Sequence, residues 1–340
     1  MKKFICLVMS GLVLFSSCGP EEESTPDVQD PVVEVVEDPK VETPDFNADS
    51  AYAFIQNQVD FGFRIPNTPA HDSCGEWIKE KLTEYGFELN VQKGVVTAWT
   101  GEKLNMQNIM GQFNPDETNR ILLAAHWDSR PYADNDTVDR NKPIVGANDG
   151  GSGVGVLLEI ARQVSLVNPN TGVDILFFDA EDMGAMENEG TFGSVNQQMN
   201  TWCLGSQYWT QNQPFDTYYK PRYGILLDMV GAKDATFPKE GVSQYFAAPQ
   251  VNRIWKEAEH LGYGDYFVKK IAPQITDDHT YVNQNTSIKM LDIIHYAPAD
   301  NGNYAFGHFH HTHKDNMDII STETLKAVGQ TVLHVVYQKI

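Results

Sequence analysis

The chain has 340 residues and carries 46 acidic against 25 basic side chains, a net charge of −21. That balance excludes a nucleic-acid-binding protein, which needs a positive face. The length suits one large α/β domain behind an exported leader.

Lys2 and Lys3 precede an apolar run from Phe4 to Phe15, which ends in Ser16-Ser17-Cys18. The run is too short to span a bilayer and has the layout of a signal peptide over residues 1–17. The small residues before Cys18 resemble a bacterial lipobox. That resemblance implies that Cys18 becomes the first mature residue and carries lipid. The Glu-rich start right after Cys18 resembles surface-export signals of some Gram-negative lipoproteins, which implies an exported lipoprotein of such a bacterium, on the periplasmic side of a membrane or on the outer-membrane surface. The lipid would be the only contact with the membrane. Residues 18–47 are acidic, with Lys40 their one base, and are broken by Pro20, Pro26, Pro31, Pro39 and Pro44. Such a stretch cannot bury a core and reads as a disordered tether.

Residues 48–340 read as a single catalytic domain. Residues 48–60 are an expected helix with Asn47 as cap, and helical spacing recurs over 68–85, where Gly86 ends it. Strands are expected at 88–97, 104–113, 121–125, 173–178, 223–230 and 291–296. Helices are expected at 152–164, 250–261 and 322–338. This alternation predicts a central mixed, mostly parallel twisted sheet with helices on both faces. Cys74 and Cys203 lie in this part without a CxxC motif. They could pair in an oxidising compartment, but free thiols are the expectation.

The chemistry concentrates where apolar strands end, the place where such sheets gather a site. The run ILLAA leads into His126-Trp127-Asp128, VDILFFDA into Glu181-Asp182, and GILL into Asp228. Asp149 sits among glycines in GANDGGSG, just before a helix. Asp277-Asp278-His279 and the run HFHHTHKDN follow. Taken singly, a helix-start aspartate is usually a cap, and a lone histidine is usually a satisfied polar group. Together these residues supply oxygen and imidazole donors of the kind zinc accepts, with spare carboxylates to carry protons. The residues alone point to metal-assisted chemistry at a carbonyl.

The order His126-x-Asp128, Asn148-Asp149-GGSG, DAED (179–182), strand Asp228, His311-Thr312-x-x-Asp315 resembles the zinc aminopeptidase superfamily over residues 50–340. Three segments are similar to glutaminyl-peptide cyclotransferases (glutaminyl cyclases): AAHWDSR (124–130), LLDMVGAKDATFP (226–238) and TDDH (276–279). Asp277 stands where the aminopeptidases usually have serine. The resemblance implies one zinc per chain on Asp149, Asp182 and His311, with Glu181 as general acid/base. Asp228 and Asp277 would hydrogen-bond around the reacting centre, and Phe306 and Trp202 would line the substrate pocket. Animal cyclases have glutamate at the position of Asp182 and tryptophan at that of His310. The implied substrate is a peptide or protein with N-terminal glutamine, converted by a monomeric enzyme to pyroglutamate with release of ammonia. The alternative is a two-zinc aminopeptidase that uses the same three ligands plus His126 and Asp228. His308, His310 and His313 read as loop residues around His311.

Overall fold

The computed structural model describes residues 41–186, 200–212, 219–299 and 303–340. The expected signal peptide, Cys18 and most of the expected tether lie outside them.

The first helix, α1 (Ala48–Asp60), starts where Asn47 accepts a hydrogen bond from the Ser50 N–H at 3.0 Å. The second, α2 (Pro69–Glu84), is capped by Thr68 and has proline at its first position, where no N–H is needed. Then come β1 (Glu88–Thr97), β2 (Lys103–Phe113) and β3 (Arg120–His126). The apolar helix α3 (Ser152–Leu166), β4 (Gly172–Phe178), α4 (Leu204–Gln211) and β5 (Gly224–Asp228) follow. The short β6 (Phe237–Lys239), α5 (Gly241–His260), β7 (Phe267–Ile271), α6 (Asp278–Asn285) and β8 (Met290–Ile294) lead to the last helix, α7 (Thr322–Tyr337). Two two-residue strands, β9 (Ala297–Pro298) and β10 (Tyr304–Ala305), pair with each other between β8 and α7.

The main sheet has six strands in the order β1-β2-β4-β3-β5-β8. Strands β4, β3, β5 and β8 run parallel, while β1 and β2 are antiparallel additions at one edge. The side-chain period of two sends Ile121, Leu123 and Ala125 to one face of β3 and Leu122 and Ala124 to the other. The first face packs against α1, α2, α3, α5 and α7, and the second against Trp209 of α4 and Val282 of α6. The sheet is thus mixed and covered on both sides, as its uninterrupted apolar strands require.

Several boundaries differ from the sequence expectation. The 223–230 strand stops at Asp228 because Met229 takes a left-handed conformation, φ 47°. The 250–261 helix begins at Gly241 and runs past Pro249, with a break at Ala247 (φ −132°, ψ 28°) that absorbs the proline. Helices α4 and α6 were not expected; both are eight residues long, too short for a clear 3.6-residue pattern. The expected tether 18–47 also reaches too far. Phe46, the only aromatic in it, is 1% exposed. The Phe46 N–H donates to Gln330 Oε1 at 2.8 Å, and the Pro44 carbonyl accepts from Gln330 Nε2 at 3.0 Å. Gly329 of α7 makes room for the ring, since a Cβ there would lie 2.2 Å from it. Residues 41–47 therefore belong to the folded body. Cys74 and Cys203 are both buried free thiols.

Candidate active site

Parallel register brings the strand ends together. His126 of β3 lies beside Phe178 of β4, and Asp228 of β5 lies beside Ile294 of β8. The chain then turns sharply out of the sheet. Ala180, Cys203, Met229 and His311 all adopt φ between 47° and 56°. Left-handed backbone costs a non-glycine residue about 1 kcal/mol or more, and these four turns carry the chain past the site. At Gly150, φ 82°, a Cβ would lie 2.1 Å from the Asp128 carbonyl oxygen. Only glycine lets the Asp149 loop pack this close to the end of β3.

Buried side chains fix each functional segment. Asp128 accepts the N–H groups of Glu181 and Asp182 at 3.0 and 3.1 Å, one on each carboxylate oxygen. Asp315 does the same for Asn148 and Asp149, at 2.7 and 3.1 Å. His311 Nδ1 lies 3.3 Å from Asp134, which Arg130 holds in two bonds of 2.7 Å. Burial works against the Asp134 charge, but the Arg130 bonds and His311 outweigh it and hold that carboxyl well below its usual range. The Arg130 guanidinium also lies 4.4 Å over the Trp202 ring, which stacks on His311 at 5.6 Å. Gly184 permits this arrangement, since a Cβ there would meet the Trp202 ring at 2.0 Å.

Asp149, Asp182 and His311 converge. His311 Nε2 is 3.3 Å from Asp182 Oδ1 and 3.7 Å from Asp149 Oδ2. Both Asp182 oxygens are buried without a hydrogen-bond partner. Donors of a tetrahedral zinc about 2.0 Å away lie about 3.3 Å apart, so the donor types suit that ion and His311 is spaced near that value from each aspartate. The donors that lie within 4.8 Å of one another group Asp149 and His311 with His310 rather than with Asp182. A second set shares Asp149: His126 Nε2 is 3.1 Å from Asp149 Oδ1 and 3.3 Å from Asp228 Oδ1. The expected role of His310 as mere loop lining is incomplete. It stacks on His311 at 3.7 Å and can itself join Asp149 and His311 as a donor. His308 and His313 do not line the pocket.

The pocket at these residues has a volume of about 520 Å³. All eight residues expected at the site within the described chain line it: Asp149, Asp182, His311, Glu181, Asp228, Asp277, Trp202 and Phe306. Phe306 stacks on Tyr296 at 4.7 Å, making an apolar wall beside the carboxylates. Burial pushes the Glu181 carboxyl well above its usual range; His126 opposes this, while Asp182, Asp277 and Asp278 add to it. The Cys203 thiol donates to Glu181 Oε1 at 3.0 Å. Burial, chiefly, raises the Asp228 carboxyl to about 7. Asp277 caps α6, accepts the Asp278 N–H, and leaves Oδ2 buried without a partner.

The sequence does not single out Asp134 or Arg130, and it offers Cys203 only as a free thiol. Only the motif contexts AAHWDSR and HT-x-x-D pointed near the supporting groups Asp128, Arg130 and Asp315.

Strand-end carboxylates and imidazoles on a mixed α/β sheet define the zinc exopeptidase-like class. Over residues 108–336 the chain matches Peptidase family M28, and it belongs to that family. It is similar to the crystal structure of Tannerella forsythia glutaminyl cyclase, with 51% identity and a TM-score of 0.81 over 86% of this chain and 99% of that one. It is equally similar to a Zn-dependent exopeptidase from Parabacteroides distasonis: 50% identity and a TM-score of 0.81 over 87% and 99% of the two chains. Aminopeptidase YwaD of Bacillus subtilis is 25% identical over 69% of this chain. The chain spans about half the length of that relative, 45%.

Proposed function

We propose that the protein is a zinc-dependent glutaminyl-peptide cyclotransferase, which converts N-terminal glutamine of peptides and proteins to pyroglutamate and releases ammonia. The observation that carries this reading is the pairing of Glu181 with a further pocket carboxylate, Asp277. Donor atoms of the two lie within 4.8 Å of each other. Cyclisation needs two proton-handling tasks at neighbouring nitrogens: the α-amine must lose a proton, and the departing amide nitrogen must gain one. The raised carboxyl of Glu181 suits it to carry that proton. Asp277 accepts hydrogen bonds from the departing amide, and Asp228 does so on the amine side. Trp202 and Phe306 enclose the glutamine side chain and hold the amine against its own amide carbon, where proximity supplies much of the rate. Bound at Asp149, Asp182 and His311, one zinc per chain supplies Lewis-acid polarisation of the amide oxygen. No water molecule needs activation, which separates this reaction from peptide hydrolysis.

Incubation with a Gln-peptide should release one ammonia per peptide and shorten no chain, and a chelator should abolish the activity. The second reading, a two-zinc aminopeptidase, is favoured by the donor set His126, Asp149 and Asp228. Two metals per chain together with release of N-terminal residues would replace the first reading with the second.

The protein is further proposed to be a monomeric exported lipoprotein of a Gram-negative-type bacterium, held to the periplasmic or outer-membrane surface through Cys18. This rests on the Ser16-Ser17-Cys18 pattern and the acidic segment behind it. Cys18→Ser should move the protein from the membrane fraction to the soluble one and remove incorporation of labelled fatty acid. Unchanged membrane association without label would refute the anchor.

A further inference from the structure

Behind Asp277 lies a group of buried polar atoms that the reaction as described does not use. Asp292 sits in the middle of β8, fully buried between the core residues Leu291 and Ile293. An aspartate in the centre of MLDII has no place in a plain core strand. Neither of its carboxylate oxygens has a hydrogen-bond partner; its backbone N–H donates to Ser243 Oγ at 2.9 Å. Donor atoms of Asp277, His279 and Asp292 all lie within 4.8 Å of one another. The far end is rigid. Glu240 accepts the N–H groups of Val242, Ser243 and Ile275 at 2.6, 2.8 and 3.0 Å. It also bonds His279 Nε2 at 3.0 Å. That bond turns His279 Nδ1, buried and otherwise unpartnered, toward Asp292 Oδ2 at 3.8 Å.

Two buried carboxyl groups this close cannot both ionise. An unpartnered buried charge would also carry its full desolvation cost. One shared proton removes both problems. Its location follows from the remaining donors. Asp277 receives backbone N–H bonds at the start of α6, which stabilise its anion. Among the described residues no N–H bond reaches the Asp292 carboxyl, so Asp292 keeps the proton. Burial first, then the charges of Asp277, Asp228 and Glu240, drive the Asp292 carboxyl in the same direction, well above its usual range.

We infer that Asp292 is a positioning residue for the reaction: held neutral in the core, it donates its carboxyl proton to Asp277 Oδ2 and fixes Asp277 as an oriented anion at the pocket floor. His279, clamped by Glu240, packs behind Asp292 with Nδ1 3.8 Å from Oδ2. The chain Glu240–His279–Asp292–Asp277 thereby ties the substrate pocket to the start of α5. Its kinetic consequence rests on the cyclotransferase reading; the shared proton does not.

The test uses the zinc-loaded full chain and the variants D292N and D292A. Asparagine keeps an N–H to give Asp277, whereas alanine does not. D292N should retain kcat within about threefold. D292A should lose about tenfold or more in kcat at nearly unchanged KM, the effect of one lost hydrogen bond to a charged group. In infrared difference spectra, wild type should show a protonated-carboxyl C=O stretch that D292N lacks. Equal losses in D292N and D292A, or superimposable wild-type and D292N infrared spectra, would overturn the inference. Should D292A fail to fold, D292N and its spectrum decide. Should the wild type show no cyclisation of Gln-peptides, the function reading falls and the infrared comparison alone decides the shared proton.

Discussion

Glu181→Gln should lower kcat for Gln-peptides by about 10²–10⁴, with KM and metal content close to wild type. The argument is geometric first. Asp128 holds the Glu181 N–H at 3.0 Å, and the Glu181 carbonyl accepts the Cys203 N–H at 2.9 Å, so the backbone does not depend on the side-chain charge. The Cys203 thiol donates to Glu181 Oε1, and a glutamine oxygen can take the same bond. The substitution therefore keeps shape and position and removes only the capacity to carry a proton. Loss in kcat with little change in KM is the signature of a group that acts in the transition state. Steady-state kinetics with metal analysis of the same samples checks this. A rate equal to wild type would mean that Glu181 is not the proton carrier.

Asp182→Ala should abolish zinc retention after dialysis and reduce activity to that of the chelated wild type. Its effect on stability should differ from that of an ordinary core truncation. Without an ion, neither Asp182 oxygen has a hydrogen bond among the described residues, although Oδ1 lies 3.6 Å from Arg130 Nη1 and 3.3 Å from His311 Nε2. Removing the carboxylate leaves Arg130 its two bonds to Asp134, so the metal-free variant should melt close to metal-free wild type. Zinc added at about 100 times its dissociation constant stabilises wild type by about 2.7 kcal/mol, on the order of 5 °C in Tm. The variant should show no such response. Zinc-dependent melting in Asp182→Ala equal to wild type would remove Asp182 from the ligand set. Asp134→Ala is a milder neighbour of this experiment: it frees the His311 ring that Asp134 faces at 3.3 Å, the kind of outer contact whose loss weakens metal binding by about 10–100-fold.

Most of the sheet was readable in the sequence because its central strands are buried on both faces. Stretches such as ILLAA and VDILFF leave no polar alternation to confuse with a helix, and their ends fall within about two residues of the observed ones. Helices α1 and α7 carry caps and long apolar stripes, which made them legible as well. The missed helices α4 and α6 are two turns each, and their residues had another role: Asp277 reads as chemistry in sequence, yet in the fold it is also the cap of α6. Pro249 hid the start of α5, since a proline is a stop signal until tertiary packing shows how the kink at Ala247 accommodates it. Phe46 looked like part of a tether because a single aromatic in an acidic stretch gives no pattern. Its partner groups, Gly329 and Gln330, lie more than 280 residues away.

The same division holds at the site. By itself the sequence determined which residue types end each strand, and so which donors and acids the site could contain, because strand periodicity and polarity are local properties. Motif order added the roles of Glu181, Asp149, Asp182 and His311 by resemblance. Only the tertiary structure decided which groups orient them. Asp128 under the 181–182 turn, Arg130 and Asp134 behind His311, Asp315 under Asp149, and Asp292 behind Asp277 are all contacts between segments distant in the chain or turned by its loops. A buried aspartate in an apolar strand is visible in one dimension. That it keeps a proton and gives it in a hydrogen bond to a neighbour across the sheet end depends on distances and on missing donors, and these exist only in three.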